Sequence, residues 1–511
     1  MHALLLGGDT LAMAAIETDV AAHGPLALDD DRGIEQLREL LNAADFTVER
    51  VESALQTHEL SVRTVDTLVH ARRLGNDLFS VVARLFVLGE PVACEALGLP
   101  PDGFERLGLA RVEGGELRPL VRLVPHGDYY LVSDLHHESA PDTASDFVPG
   151  IQAPSVTLAK LAVRRGVGAA LDVGTGCGIQ ALLAAKHSER VVATDVNPRA
   201  LNFAAFNLRL NGVDNVELRL GDAFEPVERR RFGLIVANPP YVISPDASFL
   251  YRDSRLPRDE ICRRMVQQVP VFLEEGGFAH LLVSWVHEGD RWAEPLREWV
   301  RGNGCDVWLL HSGTQDPLSH SANWLRPLAD TGPELYEEAL DRWLTYFRRA
   351  EIEAIGYGAV VLRRRSNGSN WVREDTFPID RLEPAGDHTL RVFAAQDLLG
   401  RLRDERELLE ERFTLAESHR LEQTLTSSAG GFVVESQVLR LDEGFGFRVG
   451  VDRYTAALLP NFDGQTALAD VLARASVGVE LGEDEGERFA AAALPVVRRL
   501  LELGFLSLAE H

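Results

Sequence analysis

Lysine is nearly missing from this chain. Of its 52 basic residues only Lys160 and Lys186 are lysines; the rest are arginine, a shortage that names no function by itself. Cysteine is scarce too. Cys94, Cys177, Cys262 and Cys305 lie far apart and make no C-x-x-C pair. That spacing argues against structural zinc and against a disulfide framework, and it suits a reducing cytoplasm. No run of about 18 uncharged apolar residues occurs, so a membrane span is not expected. The opening stretch, Met1 to Val20, is apolar but lacks the basic flank and long apolar run of a signal peptide. Residues 1–30 read as a loosely ordered leader. Also lacking are the H-E-x-x-H, G-x-S-x-G and G-x-x-x-x-G-K-[ST] patterns, so no metal site, serine-nucleophile elbow or phosphate loop is expected.

Positive charge is short overall. The net charge is −26, divided as −14 over residues 1–150, −4 over 151–400 and −8 over 401–511. General polyanion binding needs a basic field, and the whole chain has none. Local clusters at Arg229–Arg231 and Arg363–Arg365 read as solvated strand or loop ends.

At 511 residues the chain exceeds a single core, which predicts two to four domains. Residues 31–135 carry apolar positions at helical spacing, then two short strand patterns about Gly114-Gly115. Helices followed by a hairpin suggest a winged-helix-like domain. Residues 145–400 alternate strand and helix patterns, which predicts an α/β fold with a doubly wound parallel sheet. Residues 405–511 open with a charged helix pattern, then give strand-like runs and two further helices, again a small winged-helix-like α+β module.

The chemistry gathers in the middle region. The strand pattern ending at Val173 runs into Gly174-Thr175-Gly176-Cys177-Gly178, and a helix follows. Glycines permit a tight turn and close approach to a ligand, and a helix start offers free N–H groups. The next strand ends in Asp195, the third in Asp222-Ala223 and the fourth in Asn238-Pro239-Pro240-Tyr241. In an open α/β sheet ligands bind at these carboxyl ends, where an acidic residue can accept from ribose hydroxyls.

Together these residues resemble the class I S-adenosylmethionine-dependent methyltransferases. More narrowly, the set is similar to N-methyltransferases with an Asn-Pro-Pro-Tyr motif, which include release-factor glutamine-N5 and ribosomal RNA guanine-N2 enzymes. The resemblance covers about residues 150–365 and implies a Rossmann-like sheet with S-adenosyl-L-methionine as cofactor. It implies that Gly174 to Gly178 pass the methionine and ribose parts. Asp172 would orient the amino-acid end, and Asp195 would bind the ribose. Val196 and Asn197 would flank the adenine, and Asp222 with Ala223 would meet its amino edge. At the fourth strand, Asn238 and the Pro239 carbonyl would accept the two N–H bonds of a planar nitrogen. The prolines stiffen the corner, and Tyr241 can stack on the substrate face.

The acceptor stays open. The segment 146–160 lacks the arginine of the release-factor pattern and offers Gln152, Ser155 and Thr157 instead. In 311–326, His311, Gln315, Asp316, His320 and Trp324 can line a substrate mouth. A protein amide is the first reading, favoured by the acidic flanks. An RNA base amine docked through the arginine clusters is the second, a small molecule the third, and a cofactor-binding scaffold the non-enzyme alternative.

Overall fold

A computed structural model of the chain describes residues 24–57, 64–98, 100–135, 145–329, 332–366, 369–428, 430–478 and 483–509. Most of the expected leader lies outside these residues. The chain divides into two compact units, Met1–Leu158 with Arg165–Asp375, and Ala159–Arg164 with Thr376–His511.

The first unit is built on eight strands: β1 (Val167–Val173), β2 (Ser188–Asp195), β3 (Val216–Leu220), β4 (Phe232–Ala237), β5 (Leu273–His287), β6 (Cys305–Gln315), β7 (Ala354–Arg364) and β8 (Val372–Thr376). Their order across the sheet is β8-β6-β7-β5-β4-β1-β2-β3. The pairs from β3 to β5 are parallel, while β7 runs antiparallel to both neighbours. The expected doubly wound sheet is therefore present with one reversed strand. All six residues of β4 are buried, as a central strand covered on both faces requires.

Helices α1 (Ile179–Ala185) and α2 (Pro198–Leu210) make the first crossovers, and α3 (Glu260–Gln268) follows β4. Asn197 caps α2, its Oδ1 accepting from Arg199 N at 3.0 Å, and Pro198 occupies the first turn. Helix α3 passes into a 3₁₀ turn at Val269–Phe272, where Pro270 can supply no N–H. Later in the chain come α4 (Ala293–Trp299), α5 (Pro317–Ala329) and α6 (Pro333–Arg349). Trp343 and Phe347 of α6 are fully buried, as core residues.

Ahead of the sheet lie the helices Asp31–Ala43, Val48–Leu55, Thr64–Ala71 and Leu78–Ala83, then a three-stranded antiparallel sheet that includes the hairpin about Gly114-Gly115. A second hairpin, Val121–His126 with Tyr129–Asp134, was not expected from the sequence. Two asparagines of α2, Asn202 and Asn207, and its C-cap Asn211 hold this region by imitating a peptide group. Asn202 exchanges two hydrogen bonds with the backbone of Leu26, and Asn211 does so with Tyr130. Asn207 accepts from Val132 N and donates to Val132 O and Cys177 O, at 2.8–2.9 Å. Asn207 is fully buried, so Asn207→Leu would leave three buried backbone groups unpaired. The expected cost is about 3 kcal/mol or more, read as a lower urea midpoint. An unchanged midpoint would remove this docking role.

The second unit contains the strands His419–Ser428, Gly431–Leu441 and Arg448–Gly450 in one sheet. A second three-stranded sheet and the helices Leu468–Gly478 and Glu483–Glu502 complete it. Helix Gly386–Arg401 belongs here, not with the eight-stranded sheet, so the expected boundary near 400 lies instead near Asp375. A Cβ at Gly386 would meet the Ala162 carbonyl oxygen at 2.7 Å, so the helix start and the 159–164 segment lie too close for a side chain. The winged-helix reading of both end regions stays a proposal.

Candidate active site

The carboxyl ends of β1 to β4 meet at one edge of the sheet, and a cavity of about 540 Å³ opens there. Gly174, Gly176 and Gly178 all take left-handed φ angles, +72°, +54° and +88°. Only glycine adopts these readily. A Cβ at Gly174 or Gly176 would meet nothing within 4 Å, whereas one at Gly178 would press on Ala204 at 3.2 Å. Gly178 thus seats α1 on α2, and the other two leave open room at the cavity.

Two carboxylates hold the loop. Asp195 Oδ2 accepts from Gly176 N and Oδ1 from Asn197 N, both at 2.9 Å. Burial raises its pKa against those amide bonds. Asp172 Oδ2 accepts from Thr175 Oγ1 at 2.6 Å and Ala181 N at 3.0 Å. Burial pushes the Asp172 carboxyl up to about 7. A carboxyl raised above its unfolded value adds stability in acid and loses it as pH rises through about 7. Asp172→Asn keeps an acceptor without the charge. In cofactor-free protein, the variant's Tm should match the parent's near pH 5 and exceed it near pH 8. A parent that stays ahead at pH 8 would contradict this.

Of the residues expected to hold a cofactor, all but Gly178 line the cavity. Val196 is 47% exposed and offers an apolar face. Ala223 sits at φ +45°, unusual for a residue with a Cβ, and its carbonyl accepts from Thr194 Oγ1. The Asn197 side chain is engaged, capping α2 and donating to Asp146 O. The Cys177 thiol is buried, which pushes its pKa up to about 11.

Asn238, Pro239, Pro240 and Tyr241 line the same cavity. Asn238 Oδ1 is buried and has no hydrogen-bond partner among the described residues. Such an orphan acceptor costs free energy unless a ligand satisfies it. Tyr241 meets Trp324 edge-on at 6.4 Å, and burial raises its phenol pKa.

The substrate candidates divide. Gln152, Ser155 and Trp324 reach the cavity. Thr157 does not: its hydroxyl turns back to Ala153 O along the helix. Gln315 is spent on the Tyr357 hydroxyl at 3.1 Å. His311 contacts Thr314, Asp316 caps the start of α5, and buried His320 lies between Ile243 O and Tyr357. None of these four lines the cavity.

Several cavity residues carried no local signal. Gln180 Nε2 donates to Ser155 O at 2.8 Å. Asp253 is buried and accepts from Ser248 N, Phe249 N, Ser244 Oγ and Arg252, which shapes the loop 244–253. That loop returns to form a bridge between Asp253 and Tyr241. Arg252, Arg255 and Arg264 add cationic groups at the lining.

Residues 152–287 match the family model of the methyltransferase small domain. This segment is a methyltransferase small domain. Its class takes S-adenosylmethionine as methyl donor. Residues 391–508 match a domain of unknown function (DUF7782). A ribosomal protein uL3 glutamine methyltransferase from Bradyrhizobium diazoefficiens is 33% identical over 34% of this chain and 64% of its own length. A release factor glutamine methyltransferase from Xylella fastidiosa is 32% identical, over 22% of this chain and 46% of that one. A ribosomal RNA small subunit methyltransferase C from Alcanivorax borkumensis is 28% identical, over 23% and 32%. The chain thus spans less than two thirds of each relative. Beside the methyltransferase domain, among the described residues, no helix is long and apolar enough to cross a membrane.

Proposed function

We propose that the chain methylates a planar amide nitrogen of a protein side chain, glutamine-like in chemistry, using S-adenosylmethionine. The observation that carries this is the unpartnered Asn238 Oδ1 at the cavity where the glycine loop and Asp195 also meet. The lining fits such a donor: a turn open at Gly174 and Gly176, a carboxylate for hydroxyls and the apolar Val196. Bound there, S-adenosylmethionine supplies an electrophilic methyl group.

The chain's own residues do the rest. Asp195 would accept from the ribose hydroxyls and Asp172 would face the amino-acid end, while Asp222 and Ala223 meet the adenine edge. An amide nitrogen is a weak nucleophile because its lone pair is delocalised. Asn238 Oδ1 and the Pro239 carbonyl would accept its two N–H bonds and hold it toward the methyl. Positive charge growing on the nitrogen strengthens both bonds in the transition state, which raises the rate. Orientation supplies a further part of the acceleration. No separate base is required, because the proton can leave after transfer.

The RNA-amine alternative draws support from the ribosomal RNA relative and from the arginines at the cavity. Against it, the basic clusters proposed as RNA docks are internally engaged. Arg230 pairs with Glu217, Arg231 donates to Leu273 O, and Arg363 and Arg365 both pair with buried Asp306. Incubation with methyl-labelled S-adenosylmethionine and cell extract tests the reading. It expects label removed by protease, resistant to nuclease and mapped to a glutamine side chain. Nuclease-sensitive label would favour RNA, and label on neither polymer would overturn both.

A further inference from the structure

The second unit has a hairpin whose outer part exposes apolar side chains, while its inner end is covered at the fully buried Leu439. Strand His419–Ser428 pairs antiparallel with Gly431–Leu441, in the register Leu421↔Leu439, Gln423↔Gln437, Leu425↔Val434 and Ser427↔Phe432. Directly paired residues share a face of the sheet, and alternate residues along a strand do too. Leu421, Leu425, Val434 and Phe432 therefore lie on one face, with the Gln423–Gln437 pair between Leu421 and Leu425. Each is exposed, Phe432 by 74% and Leu425 by 53%. His419–Ser428 is also the outer strand of its three-stranded sheet. An outer strand offers unpaired N–H and C=O groups, and proteins usually protect such edges with lysine, proline or a covering element. Here residues 421–437 contain no proline, lysine, arginine or histidine.

We propose that this hairpin is a docking site for an extended segment of a basic protein. The segment would add a strand to the free edge of His419–Ser428 and lay alternate apolar side chains along the Leu421–Phe432 stripe. Added strands gain main-chain hydrogen bonds for affinity and side-chain contacts for selectivity. Charge decides among occupants. The charged residues between 421 and 437 are Glu422, which Arg440 and Arg448 already hold, and Glu435, and the whole chain carries −26. The nearby cations Arg420, Arg440 and Arg448 are each paired with Glu422 or Asp442, so a nucleic acid is offered no unpaired arginine here, and two copies of so acidic a chain repel each other. A cationic polypeptide with apolar residues at every second position matches both the stripe and the field. This surface goes beyond the methyl-transfer reading, and its test reads binding alone.

The probe is a labelled ten-residue peptide of alternating valine and lysine, followed by fluorescence anisotropy against the full chain. Hydrogen exchange over 419–428 is followed in parallel. Binding is expected, with slowed exchange at that edge. A peptide alternating valine and glutamate should bind at least about tenfold more weakly. The double variant Phe432→Asp/Val434→Asp adds negative charge, so general attraction to an acidic chain would tighten with it, whereas docking on the stripe would weaken at least about tenfold. Both residues are exposed, and Phe432→Ser/Val434→Ser serves as the second variant if folding is disturbed. Binding that survives or tightens in either variant, no protection at 419–428, concentration-dependent self-association through this hairpin, or equal binding of a uridine oligonucleotide would each overturn the proposal.

Discussion

Replacing Asn238 with alanine is expected to lower kcat for methyl transfer by about 10²- to 10³-fold, the usual effect of removing one hydrogen-bonding group from a developing charge. The affinity for S-adenosylhomocysteine should change little, because the proposed partner of Oδ1 is the acceptor and not the cofactor. Stability supplies an unusual second signature. Removing a buried side-chain oxygen normally destabilises a protein by breaking its bond. Here Oδ1 has no partner among the described residues, so Asn238→Ala should leave Tm unchanged or raise it. A variant that is slow yet at least as stable as the parent separates a residue kept for chemistry from one kept for folding. A parent-like rate would end the role given to this corner.

The second large effect concerns Asp195. Its carboxylate already fixes the amides of Gly176 and Asn197, one on each oxygen. Asp195 also lines the cavity. Asp195→Ala should therefore lose both the ribose contacts and the shape of the loop. Hydrogen bonds to a charged group are worth about 1.5–3 kcal/mol each, and each 1.4 kcal/mol is about tenfold in affinity. The dissociation constant for S-adenosylhomocysteine, measured by calorimetry, should rise about a hundredfold or more. The variant should still fold, since both amides can turn to water. Unaltered affinity would mean that the donor lies elsewhere.

The residues that were legible in the sequence share one property: each sits at the carboxyl end of a parallel strand, where local pattern and ligand position coincide. Gly174 to Gly178, Asp195, Asp222 and Asn238 could be placed on one edge because strand spacing alone implied a parallel sheet. Gln315 and Thr157 show the limit of that logic. Both are polar and near a strand end or a site-lining segment, but one turns to Tyr357 and the other to its own helix. Direction of a side chain is set by packing that no local pattern carries. Asp253 and Gln180 went unseen for the same reason, since their partners are decided by how loop 244–253 and segment 146–155 return to the sheet. The asparagines of α2 and its C-cap looked like ordinary helix residues. Their partners, Leu26, Val132 and Tyr130, lie 75–176 residues away. The arginine clusters, read in the sequence as solvated strand or loop ends, are partly engaged: buried Asp306 claims Arg363 and Arg365, and half-buried Glu217 claims Arg230.

A crystal structure of the full chain with S-adenosylhomocysteine and a glutamine-containing peptide tests the central claim most directly. The cofactor product should lie between the Gly174–Gly178 loop and Asp195, with the glutamine amide nitrogen within hydrogen-bond distance of Asn238 Oδ1. A cavity closed by its own side chains, or an Asn238 carboxamide turned away from the bound cofactor, would contradict it.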